Sequence, residues 1–244
     1  MDSLQNAIDQ RISRRKYSGI PLENAPFQNL HGLIGELNRE SGLEMEIIRD
    51  GRVAFEGLNK SYGMFSGVTT LVVVKGESHL PDLSEKAGYY GERLVLEATR
   101  MELGTCWVGG TFDRKNPVLN ILPSQKLISV ITVGYISDNL SFKESMIRRM
   151  AHLKKRPLGY FYQSAVTPPE WFLNGIRSVQ KAPSAMNRQP VKFRYDENEC
   201  TAYTTGTADF DLIDLGIAKL HFELAANGRF EWGNGAKWKA GKWA

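Results

Sequence analysis

The chain has 244 residues, of which 42% are hydrophobic and 24% are charged, so one large or two small globular domains can form a core without staples. Its net charge of +4 suits an anionic small ligand as well as a nucleic acid. The polar start argues against a secretory leader, and no run approaches the ~20 apolar residues of a membrane span. Two lone cysteines do not form a disulfide framework, and four scattered histidines do not suggest a metal site. We therefore expect a cytoplasmic protein without a membrane or metal partner.

The first predicted element is a helix over residues 4–17, with Leu4, Ala7, Ile8 and Ile12 on its apolar side. It ends in a basic run, residues 10–17, in which Arg11, Ser13 and Arg15 could converge where the helix frays. Guanidinium groups and a hydroxyl are donors that suit phosphate oxygens. The alternative is a solvated basic helix face.

The middle of the chain alternates between helical and strand patterns. A helix is predicted over Phe27–Leu37 and another over residues 85–103, the latter ended by Gly104 in the C′ position. β-Branched runs predict strands. The predicted strands of this region are Met45–Arg49, Val68–Val74 and Leu127–Ile136.

Small residues surround an indole in the segment Gly104–Gly110, which reads Gly-Thr-Cys-Trp-Val-Gly-Gly. Such a segment lets a backbone approach a ligand or another backbone, and the alternative is a tight buried turn with Trp107 in the core. Cys106 has no basic neighbour that would lower its thiol pKa, so we interpret it as a small buried hydrophobe.

The second half of the chain begins with a basic helical pattern over residues 142–152, followed by Lys154, Lys155, Arg156 and Pro157. An amphipathic helix then carries Trp171, Phe172, Ile176 and Val179, and two strands and a long helix come later. The later predicted elements are the strands Val191–Tyr195 and Cys200–Thr204 and the helix Asp211–Ala226. The segment Glu231–Ala244 interleaves Lys and Trp, which favours a strand edge with a loose terminus over an anionic-surface contact.

Between the amphipathic helix and the next strand lies the loop Ala182–Pro190, Ala-Pro-Ser-Ala-Met-Asn-Arg-Gln-Pro. Pro183 and Pro190 stiffen its ends. Small Ser184 and Ala185 leave room for a flat group, and Asn187 and Gln189 offer amide donors and acceptors. The loop therefore suits a planar ligand with mixed hydrogen-bonding edges, and the alternative is a plain helix-to-strand turn.

This loop resembles the signature loop of the nitroreductase family, whose members are FMN-dependent oxidoreductases that use NAD(P)H. The Arg-x-Ser-x-Arg run before Tyr17, the Gly-Thr-Cys-Trp segment and the Lys-x-Arg beside Pro157 resemble further motifs of that family, with Ile12 where a second arginine is frequent. The resemblance implies an α+β fold with a central, mostly antiparallel sheet flanked by helices.

The resemblance also implies which residues hold FMN. The implied phosphate contacts are Arg11, Ser13, Arg15, Lys154 and Arg156. The implied contacts to the flavin ring and ribityl chain are Pro183, Ser184, Ala185, Asn187 and Gln189, with backbone contacts from Trp107, Val108 and Gly109. Because the flavin carries the chemistry, we nominate no catalytic side chain.

A weak internal repeat is also present. Pro26 and Ser41 are separated by the same fifteen residues as Pro169 and Ser184, and the helix 85–103 resembles the helix 211–226. We predict an internal duplication, with halves 1–140 and 141–244 that pack as an intramolecular pseudo-dimer, as in a tandem subgroup of the family. The phosphate-binding residues of the first half and the loop of the second would then meet around one FMN. We expect a monomeric pseudo-dimer, with further homo-oligomerisation open.

The implied reaction passes a hydride from NAD(P)H through flavin N5 to a nitroaromatic, a quinone or a similar small acceptor. Alternatives are a flavin reductase or a reductase of activated double bonds (an enoate reductase) of the same superfamily, and a non-catalytic flavin-binding or nucleotide-binding module. Without an RNP-like motif or zinc spacing, we predict no nucleic-acid partner.

Overall fold

The computed structural model describes residues 4–56, 64–136, 145–146, 156–197 and 199–241. Helices and strands alternate along the chain in an α+β arrangement. The helices are α1 (Leu4–Gln10), α2 (Asn24–Ser41), α3 (Leu83–Arg100), α4 (Glu170–Val179) and α5 (Asp209–Ala226). The strands are β1 (Glu46–Ile48), β2 (Thr70–Glu77), β3 (Gly104–Val108), β4 (Gln125–Gly134), β5 (Tyr162–Ser164), β6 (Lys192–Asp196), β7 (Glu199–Tyr203), β8 (Gly228–Phe230) and β9 (Trp238–Ala240).

The chain divides into two compact units, each built from separate segments. The N-terminal unit consists of Gln10–Leu83 and Leu94–Leu153. The C-terminal unit consists of Met1–Asp9, Ser84–Arg93 and Lys154–Ala244. The division reflects which segments pack compactly and does not test whether the chain is duplicated. The predicted halves 1–140 and 141–244 therefore stay a prediction.

The sheet of the N-terminal unit has the order β1-β2-β4-β3, and every neighbouring pair is antiparallel. Strand β2 is buried along almost its whole length because its β-branched side chains fill both faces of the sheet. Tyr17, Phe55, Leu71, Phe112 and Val130 belong to the core of this unit.

The C-terminal unit contains a sheet of order β5-β6-β7 and the hairpin-like pair β8-β9. Strand β5 runs parallel to β6, whereas the other pairs are antiparallel. Its core is rich in phenylalanine, and Phe193 and Phe222 stack with ring centroids 4.9 Å apart. Aromatic packing of this kind supplies a large buried apolar area for few side chains.

Helix α5 and the segment Ser84–Arg93 of helix α3 approach closely within the C-terminal unit. A Cβ atom added at Gly216 would lie 1.9 Å from the carbonyl oxygen of Glu85. Buried polar pairs line the same contact: Lys219 donates to Glu85, and His221 Nε2 lies 3.0 Å from Glu92 Oε1. Small residues therefore set the helix separation, and paired polar groups are enclosed between the helices.

Most predicted elements are confirmed. The α+β class, the mostly antiparallel sheets, helices α2, α3, α4 and α5, and strands β1, β2, β4, β6 and β7 lie where the patterns placed them. The pairing of β9 with β8 agrees with a strand edge near the C-terminus. The predicted helix 142–152 falls largely outside the described residues. Among the described helices, none has the length and apolar character that crossing a bilayer requires.

Two predictions of detail are wrong. Helix α1 ends at Gln10, not at residue 17, and the basic run that follows forms β-bridges instead. Gly104 is not the C′ residue of α3, because Glu102 takes the left-handed conformation with φ 59° and Gly104 begins strand β3.

Candidate functional site

The basic run after helix α1 lies along the sheet of the N-terminal unit. Ser13 bridges Thr105 in a parallel sense, and Lys16 bridges Ser66. The Arg14 amide donates to the Thr105 carbonyl at 2.8 Å, which ties the run to the start of β3. The run is therefore held by main-chain hydrogen bonds rather than by helical ones.

This conformation explains the Arg-x-Ser-x-Arg spacing. Residues two apart share a side in extended chain, whereas they diverge by about 200° in a helix. Arg11 Nη1 donates to Ser13 Oγ at 3.4 Å, so these two side chains do lie together. Arg14, which points to the other side, is buried. The same alternation would put Arg15 on the side of Arg11 and Ser13, the arrangement that a phosphate site requires.

Tyr17 anchors the end of the same run. Its ring is buried, and its hydroxyl donates to the Arg14 carbonyl at 2.8 Å. The hydroxyl also lies 2.7 Å from Thr132 Oγ1 on strand β4. A Cβ at Gly134 would sit 3.1 Å from the Tyr17 ring, so a glycine at this place lets the ring approach the strand. Tyr17 thus fixes the register of the arginine run.

The Gly-Thr-Cys-Trp segment is strand β3 and not a turn. Gly104 is required for packing, because its Cβ would lie 2.2 Å from Ile136 Cγ2 and 3.1 Å from Arg14 Cγ. Cys106 is buried, as expected of a small hydrophobe. Trp107 is half-buried, Val108 is buried and Gly109 is exposed.

Gly109 has a different surrounding from Gly104. No heavy atom of the described chain lies within 4 Å of a Cβ built at Gly109, so packing does not require a glycine there. Its carbonyl accepts a hydrogen bond from Arg114 Nη1 at 2.8 Å, and Arg114 Nη2 donates to the Leu127 carbonyl. Arg114, which the sequence did not single out, therefore fixes this open backbone segment.

The loop Ala182–Pro190 of the C-terminal unit has an unusual backbone. A single 3₁₀ turn spans Ala185–Asn187, and Met186, Asn187 and Gln189 all have φ between 51° and 54°. Non-glycine residues in this left-handed region carry strain of about 1 kcal/mol or more each. The surrounding structure must therefore hold the loop in place.

Main-chain and side-chain hydrogen bonds supply that restraint. The carboxylate of Asp214 on α5 accepts the Ala185 amide with both oxygens, at 3.0 and 3.2 Å. Ser184 Oγ accepts the Gln189 amide at 2.9 Å, and Gln189 Nε2 donates to the Gln180 carbonyl at 3.1 Å. Ser184 and Gln189 thus stabilise the conformation of the loop by hydrogen bonds within it and to the preceding residue Gln180.

The arginine within the loop is also anchored to α5. Arg188 Nη2 lies 2.8 Å from Asp211 Oδ1, and its guanidinium stacks over Phe210 with its Cζ 4.4 Å from the ring centroid. Asp214 is largely buried, and that burial raises its pKa to about 7 against the opposing effects of the Ala185 amide and of Arg188. The nearby Asp211 raises it further.

The remaining loop side chains differ in their freedom to bind. Within the described chain, the Asn187 side chain makes no hydrogen bond, so its amide keeps all its donors and acceptors. Pro183, Ser184 and Ala185 are half-buried, whereas Met186 is 81% exposed at the tip of the turn. The loop thus presents small groups and one unused amide.

Arg156 lies in the same unit as the loop. Its main-chain carbonyl accepts a hydrogen bond from Gln180 Nε2 at 2.7 Å, and the Gln180 carbonyl accepts one from Gln189 Nε2. These two hydrogen bonds join the Arg156 backbone to the loop. Lys154, predicted beside it, lies outside the described residues. Arg11, Ser13 and the β3 segment are brought together in the N-terminal unit, and Arg156 and the loop in the C-terminal unit. Roles in cofactor binding stay predictions for all of them.

Comparison with known proteins places this chain in a family. Residues 3–226 match the family profile described as "Putative TM nitroreductase". Because this match spans most of the chain, the protein belongs to that nitroreductase family, a family of oxidoreductases. None of the curated proteins matches the sequence.

Solved structures of other proteins are also similar to this chain. A protein of Thermotoga maritima, described as a putative nitroreductase, aligns over 97% of this chain and 92% of its own, with a TM-score of 0.64 and 21% identity. A nitroreductase of Bacteroides fragilis with bound FMN aligns over 70% of this chain and 100% of its own, with a TM-score of 0.49 and 17% identity. The first of these likenesses shows a shared fold.

Proposed function

We propose that this chain is an FMN-dependent oxidoreductase that takes electrons from NAD(P)H and passes them to a nitroaromatic, a quinone or a similar small acceptor. The observation that carries the proposal is the anchored loop Ala182–Pro190, in a chain that belongs to a nitroreductase family. A strained loop held by a buried carboxylate, with a hydrogen-bonding amide left unused, is typical of a binding segment.

The donors present fit FMN. Arg11 and Ser13, whose side chains are in contact, and Arg15 are the proposed phosphate donors of the N-terminal run, and Arg156 and Lys154 are the proposed further phosphate contacts. Pro183, Ser184 and Ala185 offer a low surface for a flat ring. Asn187 and Gln189 are the proposed hydrogen-bond partners of the ring and ribityl chain, with one N–H of Gln189 Nε2 already donated to the Gln180 carbonyl. The open backbone of Gly109, next to Trp107 and Val108, suits main-chain contacts.

Bound FMN would supply hydride-transfer chemistry at its N5 atom. The residues of this chain would bind and orient the cofactor, and none of the candidate side chains is proposed as an acid or base. A related proposal concerns the compartment: two free, buried thiols, Cys106 and Cys200, suit a reducing cytoplasm.

We also propose that the chain is an internally duplicated pseudo-dimer with one FMN site and that it is monomeric in solution. The order of elements supports a duplication. The sequence α2-β1-β2-α3-β3-β4 is paralleled by α4-β6-β7-α5-β8-β9. The strand order β1-β2-β4-β3 is likewise paralleled by β6-β7-β9-β8, since the bridge Thr201–Lys237 joins β7 to the segment leading into β9.

Anaerobic titration tests the proposed reaction. The purified protein, reconstituted with FMN, should be yellow, and NADH or NADPH should bleach it, with colour restored by a nitroaromatic or a quinone. Yellow protein that neither dinucleotide bleaches would instead be a non-catalytic flavin-binding module. Protein that FMN cannot reconstitute would contradict the proposal as a whole.

A double variant tests the phosphate contacts. Arg11→Ala with Arg15→Ala should weaken FMN binding by about a hundredfold or more, because charged hydrogen bonds contribute about 1.5–3 kcal/mol each and two are lost. The charge-matched control is Arg52→Ala with Arg177→Ala, two exposed arginines that pair with exposed carboxylates. Equal FMN affinity in both double variants would exclude the assigned role.

A further inference from the structure

Two cations share one aromatic ring in the C-terminal unit. Lys192 Nζ lies 2.9 Å from the centroid of the Tyr160 ring and also donates to the Tyr160 carbonyl. The guanidinium carbon of Arg156 lies 4.7 Å from the same centroid. Tyr160 ends the short 3₁₀ helix Leu158–Tyr160, and Lys192 begins strand β6. An aromatic ring attracts cations at these distances by cation–π interaction, so Tyr160 holds Lys192 and Arg156 near each other.

The pair has no counter-charge in the part of the chain that the structure describes. Neither Lys192 nor Arg156 forms an ion pair with a described carboxylate, in contrast to Arg177, Lys181 and Lys237 of the same unit. The pKa of Lys192 is lowered, first by burial and then by the positive charge of Arg156. Two neighbouring cations without a carboxylate are a location that an anion would stabilise.

The pair is also connected to the candidate ring-binding loop. Arg156 reaches the loop through Gln180 and Gln189, as described above. Lys192 follows Gln189 by only three residues, and Pro190 restricts the chain between them. The two cations are thus close to the loop along the chain and through these hydrogen bonds, and a ligand with a flat part and a charged group could contact both the loop and the cations.

We propose that Lys192 and Arg156 together bind a phosphate monoester, and that Lys192 is a ligand-binding residue. The identity of the ligand rests on the proposed function, whereas the affinity for phosphate does not. The guanidinium offers a planar fork to two phosphate oxygens, and the ammonium adds a point charge. FMN and NADPH both carry a phosphate monoester, and their counterparts riboflavin and NADH lack it.

The test compares Lys192→Met with Lys237→Met, an exposed lysine of the same unit that pairs with Glu199. Binding of FMN and of riboflavin is measured by fluorescence quenching, and KM for NADPH and NADH is measured on the reconstituted protein. Loss of about tenfold in FMN affinity, with riboflavin affinity retained, assigns the site to the FMN phosphate. A tenfold rise in KM for NADPH alone assigns it to the dinucleotide.

The proposal is overturned if Lys192→Met changes the affinities for FMN and riboflavin equally and the KM values for NADPH and NADH equally. It is also overturned if none of these four values changes more in Lys192→Met than in Lys237→Met. Calorimetry with inorganic phosphate gives a readout that needs no flavin. Wild-type protein that binds inorganic phosphate, with the binding lost in Lys192→Met and in Arg156→Gln, would support the site even if FMN never binds and the proposed function fails. Absence of phosphate binding together with unchanged flavin and dinucleotide selectivity would contradict it.

Discussion

At the scale of single residues, the loop Ala182–Pro190 depends on a carboxylate that lies outside it. Met186, Asn187 and Gln189 adopt left-handed backbone that a free peptide would rarely choose. Asp214 compensates by accepting the Ala185 amide, although burial works against its charge. The same residue thus shapes the proposed binding loop and makes the stability of the protein depend on pH.

The sign of this dependence follows from the raised pKa of Asp214. Its pKa is 3.8 when unfolded and about 7 when folded, so the folded protein binds more protons between these values. The free energy of unfolding should therefore fall as pH rises from about 4 to about 7 and then level off. Glu223, whose pKa burial also raises to about 7, contributes in the same direction.

Asp214→Asn should remove part of this slope. The side-chain amide oxygen of the variant still accepts a hydrogen bond from the Ala185 amide but carries no titratable charge. The decrease in the free energy of unfolding between pH 4 and pH 7 should therefore be smaller in the variant than in the wild type, by on the order of 2–4 kcal/mol. Urea unfolding at a series of pH values measures it.

Asp50→Asn is the control for Asp214→Asn. The Arg52 side chain, through its hydrogen bond, lowers the pKa of that exposed carboxyl, so it titrates below this window. A slope in Asp214→Asn as steep as that of the wild type would show that Asp214 does not titrate as described.

At the scale of elements, close contact between helix α5 and the segment Ser84–Arg93 depends on the lack of a side chain at Gly216. An added Cβ would lie 1.9 Å from the Glu85 carbonyl oxygen and 2.7 Å from the Tyr89 amide nitrogen. Backbone cannot rotate away as a side chain can. The buried pair of Lys219 and Glu85 would also be displaced, since it spans the same contact.

Gly216→Ala should therefore destabilise the protein by about 3 kcal/mol or more, the upper part of the range for overpacked cores. Thermal unfolding followed by circular dichroism measures it. The matched control is Gly35→Ala in helix α2, where a Cβ meets no heavy atom within 4 Å. That variant should stabilise by about 0.5–1 kcal/mol, because alanine is the better helix former. The same sign in both variants would contradict the packing argument.

Sequence periodicity predicted the elements because each pattern had one dominant period. The β-branched runs of β2 and β4 and the apolar stripe of α3 are examples. The predicted helix over residues 4–17 extends past Gln10 because Ile12 continues the apolar spacing of the first turns. Beyond Gln10 the polar residues Arg11, Ser13 and Arg15 alternate with a spacing of two. That alternation was itself a signal of extended chain.

Parts of the candidate site could not be predicted from local sequence. The left-handed conformation of Met186 has no glycine or aspartate to announce it. Asp214 contacts Ala185 from 29 residues away, and Lys192 and Arg156 both lie over the ring of Tyr160 although they are far apart in sequence. Such contacts follow from tertiary packing. Motif resemblance could therefore suggest the loop and the arginines, but not the residues that hold the loop in place.

At the scale of the whole molecule, the series of elements that begins with α2 and the series that begins with α4 differ at the positions of the predicted flavin-binding loop. Ser41, the counterpart of Ser184 in the weak repeat, is the last residue of helix α2, and its hydroxyl donates to the Leu37 carbonyl. Glu44, the counterpart of Asn187, accepts a hydrogen bond from Gln125. The first series thus has a helix end and a carboxylate where the second has a strained loop and an amide. A carboxylate at this place accepts hydrogen bonds but cannot donate them to a flavin ring or ribityl chain, as the amide of Asn187 can.

The proposed duplication therefore predicts one FMN per chain and a monomeric holoprotein. Native mass spectrometry of reconstituted protein should give the 27.4 kDa chain plus a single FMN, and flavin released by acid should quantify to one equivalent.

Asn187→Asp places in the second series the charge that Glu44 carries in the first. This variant should lower FMN affinity about tenfold, because a carboxylate next to the cofactor repels its negative charge and cannot donate hydrogen bonds. Glu44→Gln is the control, expected to leave occupancy at one. Two tightly bound FMN per chain, or a second FMN gained in Glu44→Gln, would show that both series form sites and that the proposed division of roles between them is wrong.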